Sequence, residues 1–339
     1  MPELKVRGPA QPVTLDEVAR AAGVSRATAS RALNGGVASA QAVRAVARAA
    51  GQLGFVPNRA ARMLARNKTD AIALVVAEGP SFIFYNPFLA VLTTTLSASL
   101  WKAGYHSMMV FTEPGDPDAR ISQFLRSGAV DGMIVTNFQR NLEVAVALSG
   151  SDVPAVFVGR PPTAAPYVDV DNEEGAYQAT RYLVETGRAS IACVGGSVLA
   201  APSADRRAGW LRALAECALP PGPYVDGGVD ATGGRDAVAK VLAACPHTDA
   251  IFAQTDLLAA GVLAGLADAG RSVPDDVAVV GFDNLETATS VFPNLTTVAQ
   301  PVAALADNAA ELMVGYLRDG TWGDFPRILD TQLVVRESA

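Results

Sequence analysis

Residues 14–34 have the pattern of two short helices joined by a tight glycine turn. Thr14 and Glu17 have the spacing of a capping box, in which each side chain accepts a hydrogen bond from the backbone N–H of the other residue, so a first helix is expected to begin there. Gly23 can adopt the left-handed conformation that ends a helix without steric cost. Ser25 is suited to cap a second helix. The pattern predicts a compact helical unit near the start of the chain.

The second predicted helix has two contrasting faces. Ala29 and Leu33 are expected to pack on the first helix. The opposite face carries small and basic residues: Arg26, Ala27, Ser30 and Arg31. A helix-turn-helix places its second helix in the major groove of DNA, where an Arg side chain donates two hydrogen bonds to guanine. The pattern therefore predicts DNA binding, with an ordinary helical hairpin and solvated arginines as the alternative.

The N-terminal segment of the chain is basic, whereas the rest of the chain is acidic. Residues 1–69 contain eleven Lys and Arg but three Asp and Glu, a net charge of +8. The whole chain has 27 Lys and Arg and 34 Asp and Glu, so its net charge is −7 and residues 70–339 carry −15. The N-terminal segment suits a phosphate backbone that would repel the rest of the chain. This division favours the DNA-binding interpretation.

A third helix and a short connector follow. Ser39 is expected to cap this helix and Gly54 to end it. Apolar residues at three- and four-residue steps predict its buried face: Val43, Val46, Ala50 and Leu53. Asn58 can then cap a segment, 59–65, that is rich in helix formers but too short to be stable alone in water. We expect that segment to be helical only when a partner supports it.

These stretches resemble the lactose repressor/galactose repressor family of bacterial transcription regulators. The resemblance extends over nearly the whole chain, and its most specific stretches are Val-Thr-Leu-Asp-Glu-Val-Ala at 13–19, Ala-Gly-Val-Ser at 22–25, Ser-Arg-Ala-Leu-Asn at 30–34 and Leu-Gly-Phe-Val-Pro-Asn-Arg-Ala-Ala at 53–61. It implies a repressor that binds a palindromic operator as a homodimer. It also implies control by a small-molecule effector, with a carbohydrate as the expected class and no cofactor.

The resemblance implies which residues contact DNA. The expected set is Thr14, Ser25, Arg26, Ala27, Thr28, Ser30, Arg31, Asn58, Arg59 and Leu64. Within it, phosphate-contacting positions match Ser25, Thr28 and Ser30, and base-contacting positions match Arg26, Ala27 and Arg31. Leu64 occupies the position that enters the minor groove, where an apolar wedge partly unstacks a base step and bends the duplex. Linker packing is the alternative role for Leu64.

From Ala71 onward, short apolar segments alternate with amphipathic helical segments, which predicts parallel sheets in α/β layers. The expected strands are Ala71–Val76, Ser107–Phe111, Gly132–Val135, Ala155–Val158, Ile191–Val194, Ala250–Ala253 and Val277–Val280. The alternation breaks near 167–171 and 295–301, where strands follow one another without a helix. In the family that the chain resembles, such breaks are crossovers between the two lobes of a type I periplasmic-binding-protein fold.

The expected fold class is therefore α/β, with an N-terminal all-α helix-turn-helix unit and a two-lobed sensor built on parallel sheets. The expected organisation is 1–56 for the DNA-binding domain, 57–69 for a hinge helix and linker, 70–168 with 299–326 for the first lobe, and 169–298 with 327–339 for the second lobe.

Ligands of open α/β sheets bind beyond the carboxyl ends of the strands, which here means the cleft between the lobes. The candidate effector-binding residues expected there are Phe88, Asn137, Arg160, Arg206, Thr255 and Asp283. The resemblance implies that Phe88 touches the effector, that Arg206 donates hydrogen bonds to it and that Asp283 accepts them. Core packing or a dimer contact is the alternative for Phe88, and surface solvation or loop capping is the alternative for each of the polar residues. Asp171 and Asn172 are expected to fasten a crossover.

Other classes of function find little support. His106 and His247 are the only histidines, and neither a His-based metal site nor a Ser-His-Asp enzyme is expected from them. No nucleotide-binding glycine motif is present. The remaining reactive side chains are scattered cysteines without metal spacing, which are expected to be buried, reduced thiols: Cys193, Cys217 and Cys245.

The sequence also bears on location. No apolar run reaches the roughly 18 residues that span a bilayer, and the N-terminal residues lack the apolar core of a secretion signal. A cytoplasmic protein is therefore expected. The alternative function is that of a sugar-binding receptor of an uptake system, which would share the two lobes but would be exported and lack a basic N-terminal unit.

Overall fold

The computed structural model of the chain describes residues 13–33, 36–55, 68–80, 82–112, 118–138 and 142–339. The chain divides into two compact units, Met1–Thr69 and Asp70–Ala339, which we call the N-terminal unit and the C-terminal unit.

The N-terminal unit contains three helices: α1 Leu15–Ala21, α2 Arg26–Leu33 and α3 Ala40–Leu53. The predicted capping box is present, because the Thr14 backbone N–H donates to Glu17 Oε2 at 2.7 Å and the Glu17 N–H donates to Thr14 Oγ1 at 3.4 Å. Gly23 has a φ of 67°, which allows the sharp turn between α1 and α2. A small apolar core formed around Val18, Ala29 and Val46 holds the three helices together.

The predicted buried face of α3 is partly wrong. Val46 and Ala50 are buried as expected, but Val43 is 39% exposed and Leu53 is 40% exposed. Ala49 takes part in the core instead. Apolar spacing gives the direction of a helix face, but its width depends on how closely the neighbouring helices approach, and these helices are too short to cover the ends of α3. The predicted hinge segment, with Asn58, Arg59 and Leu64, lies outside the described residues.

The C-terminal unit alternates strands and helices. Its strands are β1 Ala71–Val76, β2 His106–Phe111, β3 Gly132–Thr136, β4 Ala155–Val158, β5 Tyr167–Val170, β6 Ile191–Gly195, β7 Tyr224–Asp226, β8 Ala250–Ala253, β9 Ala278–Asp283, β10 Thr296–Ala299, β11 Arg327–Leu329 and β12 Gln332–Val334. Its helices are α4 Phe82–Tyr85, α5 Pro87–Lys102, α6 Asp118–Arg126, α7 Leu142–Ser149, α8 Asn172–Glu185, α9 Ala201–Glu216, α10 Ala231–Ala244, α11 Asp256–Asp268, α12 Thr287–Ser290 and α13 Val302–Asp319.

The strands form two six-stranded sheets, one for each lobe. The first lobe has the strand order β11-β5-β4-β3-β1-β2, and all of its neighbouring strands are parallel. The second lobe has the order β12-β10-β9-β8-β6-β7, in which β12 is antiparallel to β10 and the other pairs are parallel. Central strands such as β1, β3 and β9 are buried along their whole length, as expected for parallel sheets covered by helices on both faces.

The chain crosses between the lobes three times: after β5, after β10 and after β11. The first two crossings lie at the predicted breaks, and α13 packs on α5 and on β3, β4 and β5 of the first lobe, as expected. The third differs from the prediction, because β11 pairs with β5 in the first sheet although 327–339 was assigned to the second lobe. A three-residue strand has no periodicity that would identify its sheet. Strand β5 also continues two residues past the boundary predicted at 168.

The cysteines differ from expectation in one respect. All three are free, and Cys193 is buried, but Cys217 and Cys245 are only partly buried. The latter two end α9 and α10, where the helix termini approach the surface.

Candidate functional site

A cavity of about 210 Å³ lies between the carboxyl ends of the two sheets, within the C-terminal unit. Five of the six predicted effector-binding residues line it: Phe88, Asn137, Arg206, Thr255 and Asp283. Phe88 and Asn137 belong to the first lobe, whereas the other three belong to the second. The first lobe therefore contributes an aromatic ring and an amide to the cavity, and the second contributes a cation, a carboxylate and a hydroxyl group.

Arg206 is a buried cation held in place on several sides. It lies on α9, its Nε donates to Asn172 Oδ1 at 2.8 Å, and its Nη1 donates to the backbone oxygen of Gln254 at 2.5 Å. Its Cζ atom lies 3.7 Å from the centroid of the Phe282 ring. Burial lowers the pKa of Arg206, and the neighbouring carboxylates, Asp283 first, oppose that effect. The side chain is therefore fixed before any ligand arrives.

Asp283 is the carboxylate nearest to that cation. Its Oδ1 lies 3.8 Å from Arg206 Nη1 and accepts a hydrogen bond from Gln300 Nε2 at 2.5 Å. The residue has a φ of 121°, a strained backbone conformation at the end of β9 that turns the side chain into the cleft. Burial raises the pKa of the Asp283 carboxyl, and Arg206 partly opposes that rise. Donor and acceptor thus stand side by side at the floor of the cavity.

Thr255 serves both the cavity and the fold. It lines the cavity, and its Oγ1 accepts a hydrogen bond from the Leu258 N–H at 3.1 Å, so it caps α11. The next residue, Asp256, is completely buried and accepts from Thr297 Oγ1 at 2.5 Å and from the Leu285 N–H at 3.0 Å. Burial raises the pKa of Asp256.

Phe88 and Asn137 form the first-lobe side of the cavity. Asn86 caps α5, with its Oδ1 accepting from the Leu89 N–H at 3.4 Å, and Phe88 lies in the first turn of that helix. Asn137 follows β3 with a φ of 56°, a conformation that Asn tolerates better than most residues. The nearby Phe84 is 85% exposed and does not line the cavity.

The prediction for Arg160 is not matched by the geometry, because its side chain does not line the cavity. Its Nη2 contacts Asp205 Oδ1 at 2.7 Å and Oδ2 at 2.8 Å, and its backbone N–H donates to Asp169 Oδ2 at 3.0 Å. The sequence shows that a cation follows β4, but it does not show that α9 places a carboxylate beside that cation. Long-range pairs of this kind depend on how the lobes are placed.

Asp169, Asn172 and Gln254, none of which the sequence predicts as an effector-binding residue, complete the site. Asp169, at the end of β5, lines the cavity and accepts from the Val170 N–H at 2.8 Å and from Asn172 Nδ2 at 3.1 Å. Burial raises the pKa of Asp169, and the hydrogen bonds from the backbone N–H groups of Val170 and Arg160 oppose the rise. Asn172 thus joins Asp169 to Arg206, which extends its expected role at the crossover. Gln254 holds the loop after β6 through Gly196 N–H. The available signal in the sequence was their position at or just after the carboxyl end of a strand.

The outer face of α2 is the candidate DNA-contacting surface. Ser25 caps α2, since its Oγ accepts from the Thr28 N–H at 3.1 Å. Arg26, Ala27 and Arg31 are exposed, as the periodicity predicts. Arg26 Nε lies 3.5 Å from Asp16 Oδ1, and Arg31 Nε donates to the Ala27 backbone oxygen at 3.3 Å. Ser30 and Thr28 are partly buried on the flanks of this face. The capping box places Thr14 at the start of α1.

Among the described residues, no helix is long and apolar enough to cross a membrane. Within the same part of the chain, no group of three or more His, Cys, Asp or Glu side chains is arranged to hold a metal ion.

These features define a class of protein: a helix-turn-helix unit joined to a two-lobed ligand-binding unit with a preorganised cleft. Comparison with known proteins identifies the family. Residues 14–58 match the lacI family of bacterial regulatory proteins, and residues 180–339 match a periplasmic binding protein-like domain. The chain is 36% identical over 332 residues to HTH-type transcriptional regulator CelR of Thermobifida fusca, a match that covers 96% of this chain and 98% of the relative. The chain therefore belongs to the lacI family.

Solved structures agree with this assignment. A transcriptional regulator CelR–cellobiose complex is 34% identical, with a TM-score of 0.75, and the match covers 96% of this chain and 100% of that one. A lac repressor dimer bound to operator and the anti-inducer ONPF is 25% identical, with a TM-score of 0.81 and coverage of 97% and 99%. The protein is a helix-turn-helix transcriptional regulator whose C-terminal unit is an effector-binding sensor.

Proposed function

We propose that this protein is a repressor whose operator affinity is controlled by a carbohydrate bound in the cleft between the lobes. The observation that carries the proposal is the buried pair of Arg206 and Asp283, which faces Phe88 across the cavity. A guanidinium beside a carboxylate offers donors and acceptors to neighbouring hydroxyls, while an aromatic face suits the apolar C–H face of a sugar ring. The cellobiose in the CelR complex and the regulator names of the relatives support this choice.

For the DNA side, we propose that the exposed face of α2 contacts the bases through Arg26, Ala27 and Arg31. Phosphate contacts are proposed for Ser25, Thr28 and Ser30, whose hydroxyl groups flank that face, and for Thr14. Asn58, Arg59 and Leu64 remain proposed minor-groove residues on sequence grounds. The protein would bind a palindromic operator as a homodimer, since two recognition helices about one helical turn apart match two half-sites.

The proposed coupling is a difference in effector affinity between the DNA-binding and non-binding states of the dimer. No catalytic step is part of this function, and it places the protein in the cytoplasm with the DNA. The exported receptor is not favoured, because the basic helix-turn-helix unit would have no role there.

Two measurements on the purified full chain test the proposal. Selection from random duplexes identifies the operator, and a thermal-shift screen of neutral sugars, sugar phosphates and nucleosides identifies the effector, since a cleft ligand raises the melting temperature of the state that it binds. We expect a sugar to raise the melting temperature and to change operator affinity. A nucleoside as the single active class would contradict the carbohydrate assignment, and the absence of any preferred duplex would contradict the regulatory function.

A further inference from the structure

The rim of the cleft carries an ion pair that joins the two lobes. Arg160 follows β4 in the first lobe, and Asp205 lies on α9 in the second. The guanidinium contacts both carboxylate oxygens, at 2.7 and 2.8 Å. Each partner is adjacent in sequence to a residue that lines the cavity, Gly159 in one case and Arg206 in the other. The Arg160 backbone N–H also donates to Asp169, a lining residue, at 3.0 Å, so the ion pair lies beside the cavity.

The cavity itself has an excess of negative charge among the described residues. Its charged lining residues are Asp169, Asp283 and Arg206. Arg206 Nη1 lies 3.8 Å from Asp283 Oδ1, and its single positive charge is outnumbered by the two carboxylates of the lining.

Such a cavity is unfavourable for an anion. Charges interact strongly in a partly buried site because screening by solvent is reduced there. A phosphate or carboxylate on the effector would meet two carboxylates and one guanidinium in the lining and, beside the lining, a second guanidinium whose charge Asp205 neutralises. A neutral polyol would meet hydrogen-bonding groups without this repulsion.

We propose that the Arg160–Asp205 pair is a specificity determinant that makes the cleft select uncharged sugars and reject phosphorylated or carboxylated ones. Asp205 acts by neutralising the one described rim cation that would otherwise attract an anionic effector. The inference rests on the proposed function, because it requires a carbohydrate in this cleft, and it adds the charge class of that carbohydrate and the residue that sets it.

A ladder of charge variants tests the proposal. Asp205→Asn adds one positive charge at the rim, Arg160→Gln removes one, and the double variant restores the wild-type balance. The probes are cellobiose, glucose and trehalose, each paired with its 6-phosphate, and calorimetry gives the ratio of phosphate to neutral dissociation constants. We expect neutral sugars to bind the wild type at least tenfold more tightly. Asp205→Asn should lower the ratio and Arg160→Gln should raise it, each on the order of 3- to 10-fold, with the double variant near the wild type.

The control is Asp268→Asn, which breaks an ion pair of 2.6 Å with Arg235 between two helices of the second lobe, and it should leave the ratio unchanged. If all three rim variants weaken both sugars alike, the pair only holds the lobes together and the specificity role is wrong. If the wild type prefers phosphorylated sugars, the inference is wrong while the carbohydrate function stands. If no sugar of either kind binds, the proposed function itself fails, and this inference fails with it.

Discussion

Arg31 in the N-terminal unit and Arg206 in the C-terminal unit are the same residue type in opposite surroundings. Arg31 is exposed, and its guanidinium makes one hydrogen bond to the backbone of its own helix. Arg206 is buried, donates to Asn172 and to the backbone of Gln254, and lies on the ring of Phe282. The exposed arginine is desolvated only when DNA covers it, whereas the buried one is already part of the fold.

Because of this difference, substitutions in the two binding surfaces should affect the stability of the protein differently. Substitutions on the DNA-contacting face should change binding and leave folding intact. Removing the buried cation Arg206 should change folding and effector binding together, since the buried carboxylates that it leaves without a positive neighbour are costly.

The largest expected effect comes from Arg206→Met. Removing this cation leaves the buried carboxylates Asp283 and Asp169 without their positive neighbour, so we expect a loss of about 3–5 kcal/mol in the free energy of unfolding of the C-terminal unit. Urea denaturation followed by circular dichroism measures it. Arg212→Met is the matched control, because Arg212 lies on the same helix and pairs with Glu173 and Glu174 near the surface. Its expected loss is about 0–1 kcal/mol, and equal losses would contradict the distinction.

The next effect concerns DNA. Arg31→Ala should weaken binding to the selected operator by about 1–3 kcal/mol, because a base-contacting arginine is lost. The melting temperature should stay unchanged, since the side chain is exposed. Fluorescence anisotropy against the operator and a scrambled duplex measures the binding, thermal unfolding measures the melting temperature, and Arg235→Ala serves as a control in the C-terminal unit. An unchanged preference for the operator would rule out a base-contacting role for Arg31.

A smaller effect is expected at the start of α1. Thr14→Ala removes the side-chain cap, so the N-terminal unit should lose about 1 kcal/mol of stability. Thr14→Ser keeps the hydroxyl and should retain most of it. Hydrogen exchange of the amides of α1, measured without DNA, separates this role from a phosphate contact. If the α1 amides of Thr14→Ala are as protected from exchange as those of Thr14→Ser and of the wild type, the side-chain cap contributes nothing measurable.

Local features of the fold could be predicted from the sequence, whereas contacts between distant loops could not. The faces of α2 and the capping box at Thr14 depend on residues within one or two helical turns, so local spacing was sufficient. For the same reason, the bounds predicted for most strands lie within a few residues of the observed bounds. The link from Asp169 through Asn172 to Arg206 depends on loops that are distant in sequence, and spacing carries no information about which loops meet. Arg160 shows this most clearly, because its position after β4 was predicted and its partner Asp205 was not.

The central claim is that effector binding at the cleft controls DNA binding by a separate unit. The most direct measurement is the operator affinity of the wild type and of Asp283→Asn, each with and without the sugar found in the screen. Asn is close to Asp in shape, but it lacks the negative charge that strengthens hydrogen bonds from ligand hydroxyl groups. We predict that the sugar changes operator affinity of the wild type by about 5- to 150-fold, whereas the variant binds the operator normally and does not respond. A variant that responds like the wild type, or a wild type with no salt-sensitive preference for any duplex, would contradict the account.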